Sequence, residues 1–192
     1  ARLLRAKLII QELNMRNTIA VLIVAALSLN AMAATENAAT QSQIKVSWQA
    51  PEKFSDIRPA SDTKKRFQEK VIRAFDKMWG EFAQDLPAGY QLNIVMTDLD
   101  LAGDVNPMYR ANHTDIRVIK DIYIPRVKLD FVLTGPMQQE IAKGTDVKIQ
   151  DMGFMNHAAI NTMSREFHYE HEMLKKWFKK TILSQIPAQA AK

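Results

Sequence analysis

The mature-looking part of the chain alternates between two-residue and three-to-four-residue hydrophobic periods. Ile44-Lys45-Val46-Ser47-Trp48 alternates apolar with polar and predicts a half-buried strand that Pro51 ends. Glu52 to Ala60 reads as a loop anchored by Phe54 and Ile57. Ser61 or Asp62 is placed to cap a long helix to about Leu86. Along it Phe67, Val71, Ala74, Phe75, Met78, Phe82 and Leu86 recur at three- and four-residue steps, while Lys64, Lys65, Glu69, Arg73, Asp76 and Lys77 take the wet side. Pro87 and Gly89 stop the helix.

Leu92 to Leu133 is the stretch around which the rest is arranged. Leu92, Ile94 and Met96 share one strand face and Val95, Leu99 and Leu101 the other, which predicts a central strand. Asp98 and Asp100 have the parity of the inward set. Either a bulge near Thr97 turns them outward or the strand leaves the core before them. Ala102-Gly103-Asp104 turns the chain, and Val105 to Thr114 reads as a polar loop. Ile116 to Ile124 is dense in β-branched residues, and Pro125 marks an edge or a break. Val127, Leu129, Phe131 and Leu133 then alternate with Arg126, Lys128 and Asp130; after the Gly135-Pro136 turn, Ile141 to Ile149 completes an antiparallel hairpin. Its turn, Thr134 to Gly144, has no short Asp-Gly signal. Asp151 to Asn161 reads as an irregular loop. Thr162 or Ser164 opens a last helix to about Leu183, with the stripe Phe167, Leu174, Phe178, Ile182. The order β-α-β-β-β-α predicts a two-layer α+β domain: a mainly antiparallel sheet of about four strands with two helices on one face.

The segment before this domain has a different pattern. Met15-Arg16 followed by the apolar run Ile19 to Leu29 fits a signal h-region, which spans about 7–15 residues. Ala31-Met32-Ala33 supplies small residues for cleavage after Ala33 or Ala34. The run is shorter than the roughly 20 residues of a membrane span. The expected organisation is therefore an upstream, non-native start over 1–14, a signal peptide over 15–34, a flexible tether over 35–43, one globular domain over 44–186 and a tail over 187–192. Export to the periplasm follows, with no transmembrane span after leader removal.

Charge then looks less basic than the whole chain suggests. Removing Arg2, Arg5, Lys7, Arg16 and Glu12 with the leader lowers the net charge from +5 to about +2. That is too little to argue for nucleic acid. The absence of cysteine removes disulfides, thiolate nucleophiles and Cys-ligated metal centres.

Candidate chemistry gathers around the glycine turn. Asp98, Asp100 and Asp104, with Arg110, Arg117 and Arg126, form the candidate ligand or partner surface. Gly103 fits the glycine of a calcium loop, but Ala102 and Tyr109 stand where oxygen ligands belong. Caps and surface ion pairs with those arginines are the plainer reading. His168 and His171 stand one helical turn apart, with no third ligand and no H-E-x-x-H, so they read as exposed helix residues before they read as a metal pair. His113 and His157 are single loop histidines. There is no G-x-S-x-G and no phosphate-cradling glycine motif. Lys175-Lys176-Trp177-Phe178-Lys179-Lys180 offers a cationic face to lipid headgroups, or simply a solvated one with Trp177 packed. No cofactor is implied.

Several stretches together resemble a known family: Val46-Ser47-Trp48 with Pro51-Glu52-Lys53-Phe54 and Arg58-Pro59; Thr97 through Asp104; Ile116 through Tyr123 with Pro125-Arg126; Asp151 through Met155; and Tyr169-Glu170 with the Trp177-Phe178 helix. The family is that of uncharacterised bacterial secreted proteins called domain of unknown function 3016. The resemblance implies a small exported protein, usually periplasmic, and brings no catalytic residues. The leading functional expectation is a non-enzymatic binding or accessory domain with an unknown periplasmic protein or small ligand as partner. The alternatives are a hydrolase-type enzyme using Asp98, Asp100 or Asp104, and a divalent-metal binder.

Overall fold

The computed structural model of the protein describes residues 43–111, 114–157 and 166–187. The expected leader, almost all of the tether, the expected start of the last helix and the tail beyond Pro187 lie outside them.

Among the described residues, six strands and three α-helices succeed one another: β1 (Ile44–Trp48), α1 (Lys64–Phe82), β2 (Gln91–Asp100), β3 (Asp104–Ala111), β4 (Thr114–Val118), β5 (Arg126–Thr134), β6 (Glu140–Gln150), α2 (Phe154–His157) and α3 (His168–Trp177). Four strands form one sheet in the order β1-β2-β5-β6. β1 runs parallel to β2, as a strand joined to its neighbour through a helix can, and the two remaining pairings are antiparallel. The fold is α+β, as the periodicity predicts.

Of the two alternatives for Asp98 and Asp100, the bulge near Thr97 is the one present. β2 pairs with β5 in register from Gln91 to Met96, slips between Met96 and Asp98, and resumes with Asp98 opposite Lys128 and Asp100 opposite Arg126. The extra residue moves the buried side from even to odd positions. Leu92, Ile94 and Met96 are buried before it, and Leu99 and Leu101 after it. Two aspartates that would have entered the core instead stand beside basic residues of the next strand.

α1 and α3 supply the second layer. Val71, Phe75, Met78, Trp79 and Phe82 of α1 are buried with Met173 and Leu174 of α3 against the inward side of β2 and β5. Each such side chain contributes about 1.5–3 kcal/mol by leaving water. Trp79 was not in the predicted stripe, yet it is buried edge-on to Phe82 and Trp177. Thr63, rather than Ser61 or Asp62, caps α1: its hydroxyl accepts the Arg66 N–H at 3.3 Å. α3 continues into a π-turn over Phe178–Ile182, in which both of those residues are buried.

Three expectations need correction. The stretch read as a polar loop, Val105 to Thr114, carries β3 and the start of β4, which pair with each other in a separate two-stranded sheet. The strand order therefore gains two members, β3 and β4. Pro107, which falls inside β3, weighs against a strand when read from the sequence. The strand read over Ile116 to Ile124 stops at Val118; the Tyr123 N–H donates back to the Lys120 carbonyl in a turn just before β5. The loop read over Asp151 to Asn161 contains the short helix α2.

Candidate functional site

The site grows from the end of β2. Ala102-Gly103 leaves the strand, and Gly103 has φ +84°, a region that a Cβ makes costly. A Cβ there would also stand 2.6 Å from Ile119 Cδ1 and 2.7 Å from the Val118 carbonyl oxygen. The turn is thus closed by β4 pressed against bare backbone, and the Gly103 N–H donates to the Tyr123 carbonyl at 3.0 Å.

The loop after β1 joins the same place. Phe54 and Ile57 are buried, as expected of its anchors. Between them the Asp56 N–H donates to the Leu99 carbonyl, and the Leu101 N–H donates to the Asp56 carbonyl. This short bridge prolongs the sheet edge and buries Asp56 to 6% exposure. A buried carboxylate needs partners, and two arginines supply them. Arg117 Nη1 lies 2.9 Å from Asp56 Oδ2, and Arg58 Nε lies 3.1 Å from Asp56 Oδ1. Arg58 continues to Asp104 Oδ1 at 2.9 Å. Arg117 also donates to the Gly103 and Arg58 carbonyls at 3.0 and 2.9 Å. The Asp56 hydrogen bond and charge, with help from Asp104, hold the Arg58 guanidinium above its ordinary pKa.

A second buried acid comes from the first turn of α3. Glu170 accepts the Ala102 N–H on Oε1 at 2.7 Å and is 2% exposed. Burial pushes its carboxyl above the ordinary glutamic value. The Ala102 and Glu170 N–H groups and the Arg117 charge pull the other way without overcoming it. Just before it, Phe167 holds φ +55°, a left-handed value rare for a bulky residue, while its ring packs on Phe67 and Phe75.

These elements enclose a cleft of about 320 Å³. Leu101 and Ala102 from the end of β2 line it with Phe67 of α1, Ile119 beyond β4, and Phe167 and Tyr169 at the start of α3. Arg117, Glu170, His168 and Glu166 are the polar groups in its wall. Its volume is that of a small-molecule site.

The three aspartates singled out from the sequence are placed differently. None lines the cleft. Asp98 takes the Ser55 N–H and hydroxyl, each at 2.8 Å, with Lys128 at 3.4 Å. Burial alone would raise its carboxyl, but Ser55 and Lys128 outweigh that and leave it below the ordinary value. Asp100 holds Arg126 at 2.7 Å; burial nevertheless leaves its carboxyl somewhat raised, helped by the nearby charges of Asp56 and Asp98. Asp104 binds Arg58. Of the arginines, Arg126 pairs with an expected aspartate, Arg117 turns instead to Asp56, and the side chain of Arg110 lies outside the described residues, as do those of His113 and His157.

The expectation that His168 and His171 are exposed is corrected. His171 is 5% exposed, packed at a tilt against the Phe82 ring, with Nε2 at 3.4 Å from Glu81 Oε2 and Nδ1 at 3.3 Å from Glu172 Oε1. His168 is half-buried against the Tyr169 ring at 3.7 Å. Among the described residues, no three His, Asp or Glu side chains gather as a metal site. Trp177 of the lysine-rich run packs on Trp79 and Phe131, and Lys176 holds Asp151 at 3.0 Å, which ties part of that face to the fold. No described helix is long and apolar enough to cross a membrane.

Sequence reading missed Asp56, Arg58 and Glu170 as members of this site. Asp56 has Arg58 two residues on, but the Arg117 that completes its pairing lies 61 positions away. Glu170 could have been noticed as the acid in the first turn of a helix. No curated protein and no solved structure matches the chain. A family model does, over residues 42–180: the chain belongs to the family described as "Protein of unknown function (DUF3016)".

Proposed function

We propose that this is an exported periplasmic protein acting as a non-enzymatic binding or accessory domain, with its ligand held in the cleft between the β2 turn and the start of α3. One observation carries the binding reading. The cleft is walled mainly by apolar side chains, while its ionic groups are already engaged: Arg117 by Asp56, Glu166 by Lys70 and Glu170 by the Ala102 N–H. Such a hollow is suited to holding a molecule, and its rigid turn at Gly103 supports a preformed shape. The aspartates first considered for acid–base work are each engaged by a cation beside them. Export rests on the leader pattern of residues 15–34.

The test is recovery of the mature protein from periplasmic extract, with mass spectrometry of whatever is retained. A specific protein or small molecule that is lost when Ala60→Trp fills the cleft supports the reading. Retention of nothing at native expression level counts against it. Export is checked by N-terminal sequencing of the periplasmic fraction, with Ala34 or Thr35 expected as the first residue.

A second reading, a hydrolase-type enzyme, is favoured by one feature: a buried glutamic acid with raised proton affinity stands beside a cleft that an arginine also lines. It places the acid at Glu170 instead of Asp98, Asp100 or Asp104. A hydrolase substrate screen in which Glu170→Gln abolishes turnover would favour it over the binding role. Divalent-metal binding by the acidic turn is tested by thermal melts with millimolar calcium or zinc; an unchanged midpoint removes it.

A further inference from the structure

We propose that the cleft selects a small, uncharged ligand built on an aromatic or other flat apolar ring, and rejects acids and amines of the same size. This rests on the binding reading above and names the ligand class for that site.

The wall chemistry is the first argument. Phe67 and Phe167 meet at 6.4 Å between ring centres, and with Tyr169 and His168 they give the wall its ring surfaces. Leu101, Ala102, Ile119 and Ala60 add aliphatic surface to the same wall. At about 320 Å³ the space suits one or two fused rings with a short substituent, not a peptide or a sugar chain.

Charge is the second argument. An anion entering the cleft would look to Arg117, but that guanidinium is already committed to Asp56 and to two backbone carbonyls. A cation would look to Glu170 or Glu166. Glu170 is held by the Ala102 N–H with Arg117 close enough to act on its charge, and Glu166 is paired with Lys70. Either ion would lose its hydration without gaining an unneutralised partner, and desolvating a charge is among the costliest steps in binding. A neutral ring bearing one hydroxyl or carbonyl avoids that loss and covers apolar surface.

The experiment uses three compounds of matched size: naphthol, naphthoate and naphthylmethylamine. Each is titrated calorimetrically into the mature full-length protein. Naphthol is expected to bind at least about tenfold more tightly than either charged analogue, a difference of roughly 1.4 kcal/mol. Ala60 also lines the cleft, and Ala60→Trp, which puts a large ring into it, is expected to weaken naphthol about tenfold or more. Ile119→Glu, which adds a charge to the wall, is expected to shift preference toward the amine and serves if the tryptophan variant does not fold. If naphthoate or the amine binds as well as naphthol, the ligand class is wrong while the binding role stands. Unchanged naphthol affinity in both cleft variants would place binding elsewhere and overturn the assignment. Absence of binding by all three overturns this inference; if periplasmic capture also fails, the binding role falls with it.

Discussion

The two halves of β2 solve the same problem in opposite ways. Before Thr97, Leu92, Ile94 and Met96 are held by shape, buried among Phe75, Phe82, Leu129 and Leu133 of one core. After it, Asp98 and Asp100 are held by pairing, each across from a basic residue of β5, and the chain runs into the Asp56–Arg117–Arg58–Asp104 lattice. A shape-filled region tolerates a substitution that keeps volume. A paired region tolerates a substitution that removes both partners but not one that strands a single charge. One strand thus carries two different mutational grammars, separated by a single bulged residue.

Breaking the first region should show the largest effect. Phe178→Ala removes a fully buried ring stacked on Phe82 and is expected to cost about 3–5 kcal/mol, read from denaturant melts; Phe178→Leu should cost much less. A small loss for the alanine variant would mean that the core is not packed by shape.

Asp56→Ala should follow, at about 3 kcal/mol, because it leaves Arg117 at 18% side-chain exposure without its carboxylate. The double change Asp56→Leu with Arg117→Met is expected to recover much of the loss. If the double variant falls by the sum of the singles, the two residues do not act as a pair.

Glu170→Gln sharpens the comparison through pH. A folded-state pKa raised above the unfolded one favours the protonated native form. Its stabilising effect is complete below the ordinary glutamic value and is lost as pH rises through the raised folded value. Asp98 works in the opposite sense: its lowered pKa stabilises the fold above the ordinary aspartic value, and that is lost as pH falls through the folded value. Glu170→Gln is expected to flatten the decline toward neutral and alkaline pH and to gain about 1 kcal/mol there. A melt series with the same pH slope as the parent would show that Glu170 does not hold its proton.

The smallest effect is expected for Lys128→Ala. Its 3.4 Å pair with Asp98 is 44% exposed on the lysine side, and such pairs contribute under about 1 kcal/mol. A loss comparable to that of Asp56→Ala would erase the distinction between buried and exposed pairing.

The legible parts of this molecule were those with local periodicity. The stripe of α1, the alternation of β5 and the parity conflict at Asp98 are all contained in short windows, and the conflict located the bulge. Trp79 escaped because it widens the buried side of α1 beyond the stripe that three- and four-residue steps trace from Phe67. The β3–β4 ribbon escaped because Pro107 and the polar residues around it read as a loop. Asp98, Asp100 and Asp104 were visible as a cluster, yet their partners were only partly so: Arg126 sits on the facing strand, whereas Ser55 and Arg58 come from a loop more than 40 positions earlier. Glu170 reaches Ala102 across 68 positions, a distance at which composition and spacing are silent.

The parallel placement of β1 has a consequence for the order of assembly. Every rung between β1 and β2 joins residues 48 positions apart, as in Ile44 with Leu92, whereas β5 and β6 meet across a single turn. Loop closure favours the near pairing first. As synthesis releases the chain from its N-terminus, β1 is the first of the described strands to emerge and, by this logic, among the last to be seated. Until α1 and β2 have followed it, Ile44, Val46 and Trp48 travel without a partner. The late docking of this edge also brings Asp56 to the end of β2, so the charged lattice around Gly103 closes as a final act of folding.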